Sequence, residues 1–191
     1  DIQAHLRNIA QKENVQYEDD ALYLIAQKAD GALRDALSIF DRLSTFSQKN
    51  ITLVKAAEVL NILDYDQYLN IVDLAKENKI PQTLFSFNEI VKKGFDPHIF
   101  IAGLGNHFRD LMMAQNTSTI ELIEVGEKTK TKFVEQAQKW NAQQLIDAIE
   151  ICNHADINYK NSKNPRLTVE IALMQLASLT ANGDVTKKKS S

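Results

Sequence analysis

Apolar residues recur at every third or fourth position from the start of this chain almost to its end. That is the period of helices with one face in a core. Ile2, Leu6 and Ile9 form a first stripe within residues 1–12. Leu22, Ile25 and Ala29 form a second, entered through Asp19 and Asp20. Leu33, Ala36, Leu37, Phe40 and Leu43 form a third, with Asp30 as its natural N-cap. Thr52 is placed to cap a short helix carrying Val54, Ala57 and Leu60, and Asp64-Tyr65-Asp66 breaks the pattern after it.

Helices continue beyond the break. One runs through Leu69, Val72 and Ala75. The next has Pro81 at its first position, then Leu84, Phe85, Phe87, Ile90 and Val91, with Lys92, Lys93 and Gly94 at its end. Asp96-Pro97 is a cap followed by proline and opens a helix bearing Phe100, Leu104, Phe108, Leu111 and Met112. Residues 119–127 read as ambiguous, with a short helix as one option. Residues 128–140 are helical, anchored by Phe133, Ala137 and Trp140, and Asn141 caps a long helix through Leu145, Ile149, Cys152 and Tyr159.

Asn164-Pro165 repeats the cap-then-proline signal before a last helix over residues 166–180. Leu167, Val169, Ile171, Leu173, Met174, Leu176, Ala177 and Leu179 leave that helix apolar nearly all round. Such a helix is expected to be covered on every side, by a core or by another subunit. No segment alternates at period two, so the fold class is all-α.

Composition narrows the picture little. Of 191 residues, 44% are apolar and 25% charged, with only 6 glycines and 3 prolines, a globular balance suited to long helices. The net charge of −3 argues against a dedicated nucleic-acid surface. The lysine run 187–189 sits in a polar tail, read as a solvated end. The single cysteine, Cys152, excludes an internal disulfide and reads as a small buried hydrophobe. No metal-ligand spacing is seen, nor a run near the roughly 18 apolar residues of a membrane span. These features fit a reducing cytoplasm. The chain starts with Asp1 already inside an amphipathic helix, so it is expected to be a piece of something longer.

Candidate chemistry is sparse. A P-loop needs G-x-x-x-x-G-K-[ST]. Gly126-Glu127-Lys128-Thr129 lacks the G-K-T order, and Glu121 stands where the first glycine belongs. Gly103-Leu104-Gly105 lies inside a helix and lacks the lysine. His98 and His107 read as surface or boundary residues. Nothing supports catalysis by this chain alone.

One residue stands out. Arg34 falls in the first turn of the third helix, where the macrodipole disfavours a cation. Two readings are open. Asp30 and Arg34 stand at i, i+4 in the favourable order, a pair worth about 0.3–0.5 kcal/mol if exposed. Alternatively, Arg34 faces a phosphate drawn to the helix start.

Gly31-Ala32-Leu33-Arg34-Asp35-Ala36-Leu37-Ser38 resembles the sensor-2 motif G-x-x-R-D-A-L-S of clamp-loader ATPases, most closely the gamma/tau family of bacterial DNA polymerase III. Phe95-Asp96-Pro97 leading to His107-Phe108-Arg109-Asp110-Leu111 is similar to that family's collar segment. Asn164-Pro165-Arg166-Leu167, with Glu170 and Leu173, is similar to its final collar helix. Where many relatives have Asp-Gln after the first motif, this chain has Asp41-Arg42.

The resemblance implies a small helical AAA+ lid over residues 1–62, a collar domain over 63–181, and a polar tail over 182–191. In the family, five collars pack into a ring. The resemblance thus implies other clamp-loader subunits as partners, a weak homo-oligomer as an option for the chain alone, and a sliding clamp and primed DNA as partners of the whole complex. The parent would be an ATPase subunit of the nucleotidyltransferase holoenzyme, with ATP and magnesium bound mainly by another domain. Arg34 would contact the terminal phosphate, Leu33 would pack near the base, Gly31 would belong to the motif, and Asp35 would pair within the lid. The alternatives are a helical interaction scaffold without nucleotide coupling, and a DNA-binding helical domain, which the acidic balance disfavours.

Overall fold

The computed structural model describes residues 1–60 and 62–189, the side chains of 182–189 apart. Among the described residues there are ten α-helices, one 3-10 turn at Ile120–Leu122 and two strands of two residues each. The chain divides into two compact units. The first is Asp1–Asp64 together with Glu124–Lys130; the second is Tyr65–Ile123 together with the chain from Thr131 onward. No feature of residues 124–130 in the sequence points to their place in the first unit.

The first unit is built on α1 (Ile2–Lys12), α2 (Asp19–Lys28), α3 (Leu33–Phe46) and α4 (Leu53–Val59). Asp1 caps α1 by accepting from the Gln3 N–H at 3.0 Å, and Thr52 caps α4 by accepting from Lys55 at 3.2 Å. Between the helices, β1 (Gln16–Tyr17) pairs in parallel with β2 (Asn50–Ile51), Gln16 opposite Asn50 and Tyr17 opposite Ile51. Two residues are too short to leave an alternation in the sequence.

Leu6, Leu22, Ile25, Phe40, Leu43 and Ile51 form the dry centre of this unit. Each such side chain contributes about 1.5–3 kcal/mol by leaving water. Val54 was expected to face inward and is exposed. The inward stripe of α4 is instead Leu53, Ala56, Ala57 and Leu60, which puts Val54 on a flank.

The second unit holds α5 (Tyr65–Lys76), α6 (Ile80–Lys92), α7 (Pro97–Ala114), α9 (Ala142–Asn158), α10 (Pro165–Lys189) and most of α8 (Glu127–Ala137). Helix α7 packs along α9, and α10 lies against α9, α5 and α6. Phe87, Phe100, Phe108 and Phe133 are fully buried in its core, and Cys152 is buried as expected. Phe85 was expected among the inward residues and is exposed. The buried positions of α6 are Thr83, Phe87 and Ile90, and Phe85 lies on the other face.

Two further expectations change here. His107 was read as a surface or boundary residue and is only 3% exposed. The last helix is not covered all round: Val169, Leu173, Leu176 and Ala177 are buried, but Leu167 and Ile171 are 44% and 43% exposed. It also continues to Lys189, through most of the stretch read as a tail. The side chains of 182–189, and residues 190–191, lie outside the described residues, as does Asn61.

Candidate functional site

Helix α3 begins in an unusual way. Asp30 and Gly31 are both left-handed, with φ of 48° and 81°, and together they reverse the chain between α2 and α3. Glycine takes this conformation without steric cost, so Gly31 is the residue the turn requires. Ala32 follows as the N-cap in extended conformation, with φ −91° and ψ 102°. Asp30 is therefore not the cap expected of it, because it stands two residues too early and in the wrong conformation. The Asp-Gly pair was a turn signal instead.

An alanine at the cap position has a consequence. Its methyl group accepts no hydrogen bond, and α3 has no side-chain cap. The first bond along the helix runs from the Ala36 N–H to the Ala32 carbonyl at 3.1 Å. The N–H groups of Leu33, Arg34 and Asp35 have no acceptor among the described residues. Orphan donors of this kind carry the positive end of the helix dipole and draw anions.

Arg34 stands on this turn, exposed, with no hydrogen bond or ion pair to any described residue. The i, i+4 pair with Asp30 is not formed, since Asp30 lies outside the helix. Asp35 is exposed too and makes no pair with a described residue, unlike the pairing within the lid that the resemblance implied. Leu33 is 42% exposed beside them. Behind this polar rim, Ala36, Phe40 and Leu43 are fully buried and hold α3 in the core. A guanidinium, three free N–H groups and an apolar side chain on a firmly seated turn can receive a phosphate attached to a flat apolar group. Gly31, Leu33, Arg34 and Asp35 are thus brought onto one short stretch. The bare N-cap has its own signal in the sequence: Ala32 occupies a position where Ser, Thr, Asp or Asn is usual.

The other chemistry-bearing residues serve the fold. His98 Nε2 meets Asp156 Oδ1 at 2.6 Å, and its ring stacks on Tyr159 with centroids 4.4 Å apart. His107 Nε2 pairs with Gln136 Oε1 at 2.7 Å, and Gln136 donates to the Leu69 carbonyl at 2.8 Å and to Asp73 at 2.9 Å. Burial pushes the His107 pKa down to about 4, so the ring is neutral near pH 7 and Nε2–H donates to the amide. Burial raises the Cys152 thiol well above its ordinary value. Among the described residues no three His, Cys, Asp or Glu side chains converge on a metal-sized space, and no helix is long and apolar enough to cross a membrane. Gly126-Glu127-Lys128-Thr129 cradles no phosphate: Thr129 is 4% exposed and donates to Asp20 Oδ2 at 2.7 Å.

Residues 51–188 match the family model described as DNA polymerase III subunits gamma and tau domain III. The chain belongs to the gamma and tau family. Residues 1–48 match a second model, the ATPase lid domain of the DNA polymerase III clamp loader subunit, so the candidate site falls in the part that matches the lid. Among curated relatives, the chain is 29% identical over 178 residues to DNA polymerase III subunit tau of Bacillus subtilis, covering 92% of this chain and 31% of that protein. It is 30% identical over 158 residues to DNA polymerase III subunit gamma of Buchnera aphidicola, covering 82% and 40%. It is also 27% identical over 186 residues to Protein STICHEL-like 2 of Arabidopsis thaliana, covering 97% and 21%. The chain thus spans well under half the length of these gamma and tau relatives. In fold it is similar to the Bacillus subtilis DNA clamp loader delta protein, with a TM-score of 0.58 at 18% identity, over 93% of this chain and 56% of that one.

Proposed function

We propose that this chain is the lid-plus-collar part of a clamp-loader subunit, and that its lid senses nucleotide through Arg34. The observation that carries this reading is the free guanidinium at an uncapped helix start. ATP with magnesium, held mainly by another domain of the same subunit, supplies the phosphate charge that the site meets. Arg34 and the N–H groups of Leu33, Arg34 and Asp35 bind that charge, and Leu33 packs beside the base. Nucleotide then favours the lid position in which these contacts are made, which is a two-state equilibrium shifted by differential binding.

The collar does the assembling. Leu167 and Ile171 present an apolar edge of α10, which suits a neighbouring subunit better than water. Other clamp-loader subunits are the partners of this surface. The assembled cytoplasmic complex opens a sliding clamp and places it on primed DNA during replication.

The test is Arg34→Ala in the full-length subunit within its assembled complex. Loading of clamp onto primed DNA with ATP should fall about tenfold or more, the usual size of a lost charge-assisted contact. Assembly of the complex, read by size exclusion, should not change. Undiminished loading would instead favour a helical scaffold without nucleotide coupling.

A further inference from the structure

The segment Glu124–Lys130 is joined to the first unit by one buried and one exposed hydrogen bond and by the buried Val125, and neither the proposed function nor the family comparison assigns it a role. Asp20, in the first turn of α2, is 9% exposed and accepts from the Thr129 hydroxyl at 2.7 Å. Val125 is 5% exposed. Gln27, at the far end of α2, donates through Nε2 to the Glu124 carbonyl at 2.6 Å. Gly126 lies so close to Asp20 that a Cβ there would overlap the carboxylate and stand 3.3 Å from the Asp20 Cα. The strap is therefore fixed at both ends of α2, and its middle fits only as glycine.

We infer that this strap is a latch, in which Asp20, Gly126 and Thr129 make the start of α8 follow the position of α2. Two facts give it direction. Helix α2 shares its core with α3 through Ile25 and Phe40, so Asp20 is carried with the helix that holds Arg34. The strap then runs directly into α8, whose residues from Thr131 on belong to the second unit. A charged acceptor for a buried hydroxyl is among the stronger polar contacts, and leaving it unmade costs the full desolvation of the carboxylate. The close approach at Gly126 and the hydrogen bond at Thr129 hold the contact in one register. The latch rests on the proposed function only for what it transmits; its existence is independent of nucleotide.

The experiment is amide exchange by mass spectrometry on the full-length subunit, with Gly126→Ala, Asp20→Ala and the double variant. Gly126→Ala should raise exchange across 124–130 about tenfold. In the Asp20→Ala background, where the overlapping carboxylate is gone, the same methyl should raise it by about twofold at most, a non-additivity that general loss of stability does not give. Thr129→Val, which adds no bulk, should also raise exchange across 124–130 about tenfold, and serves if Gly126→Ala does not fold. Additive effects in the cycle, or an unchanged strap in Thr129→Val, would overturn the latch. If Arg34→Ala leaves loading intact while the cycle is non-additive, the proposed function fails and the latch stands. If loading depends on Arg34 and the cycle is additive, the reverse holds.

Discussion

The entrance of α3 and the interior around α7, α8 and α9 treat polar groups in opposite ways. At α3 an alanine sits where a cap belongs, three N–H groups lack acceptors, and an arginine stands free among the described residues. At α9, Asn141 accepts from Gln144 N–H at 2.8 Å while the Gln144 side chain accepts from Asn141 N–H at 3.1 Å, a complete capping box. Nearby, Gln136 uses both ends of its amide, toward His107 and toward Leu69 and Asp73. These pairings close on one another and hold the fold, while His107 Nδ1 and Trp140 Nε1 are buried without a partner among the described residues. Polar groups left open on a rigid turn are ready for something that arrives from outside.

The largest test of this contrast concerns His107. Its folded pKa of about 4 lies below the unfolded value of 6.5. As pH falls, the unfolded chain takes up the proton first. The stability His107 allows is therefore full above about pH 6.5, declines below it, and is lost by about pH 4, for a total of about 3 kcal/mol. Denaturant titrations from pH 7 to 4 should show this slope, and His107→Leu should remove that share of it. An unaltered slope would mean that the interior is not closed in the way described.

The next test exchanges the two helix starts. Asn141→Ala should cost about 1 kcal/mol, read as a lower denaturant midpoint. Ala32→Asn should gain up to about 1 kcal/mol, since its side chain supplies the missing acceptor. It should also weaken nucleotide-dependent loading by competing for the same N–H groups. A stabilised variant with unchanged loading would separate the open donors from the activity.

The smallest effect is the most telling. Arg34→Ala should change stability by no more than about 0.5 kcal/mol, because no described residue depends on it. A larger loss would give the guanidinium a structural task and blur the contrast.

Much of this was legible in the residues. Helical period located the elements, and Thr52, Asp96 and Asn141 act as the caps their positions predict. Arg34 was visible because a cation in a first turn breaks a local rule. Three things were not legible, each for a physical reason. Asp30-Gly31 carried both a cap and a turn signal, and only the backbone decides between them. The exposure of Phe85 and Val54 depends on helix phase, which a stripe rich in apolar residues leaves loose. The burial of His107 depends on Gln136, a partner far along the chain, and the same distance hid Asp20 from Thr129.

That last separation bears on how such a protein is divided for expression. The matched family regions meet between residues 48 and 51, and the family resemblance implied a cut after residue 62. A fragment ended at either place would lack Val125 and Thr129, and Asp20 would lose its hydroxyl donor. An excised lid of contiguous sequence is thus a lid missing one wall. A faithful minimal version would have to graft residues 124–130 back through a linker.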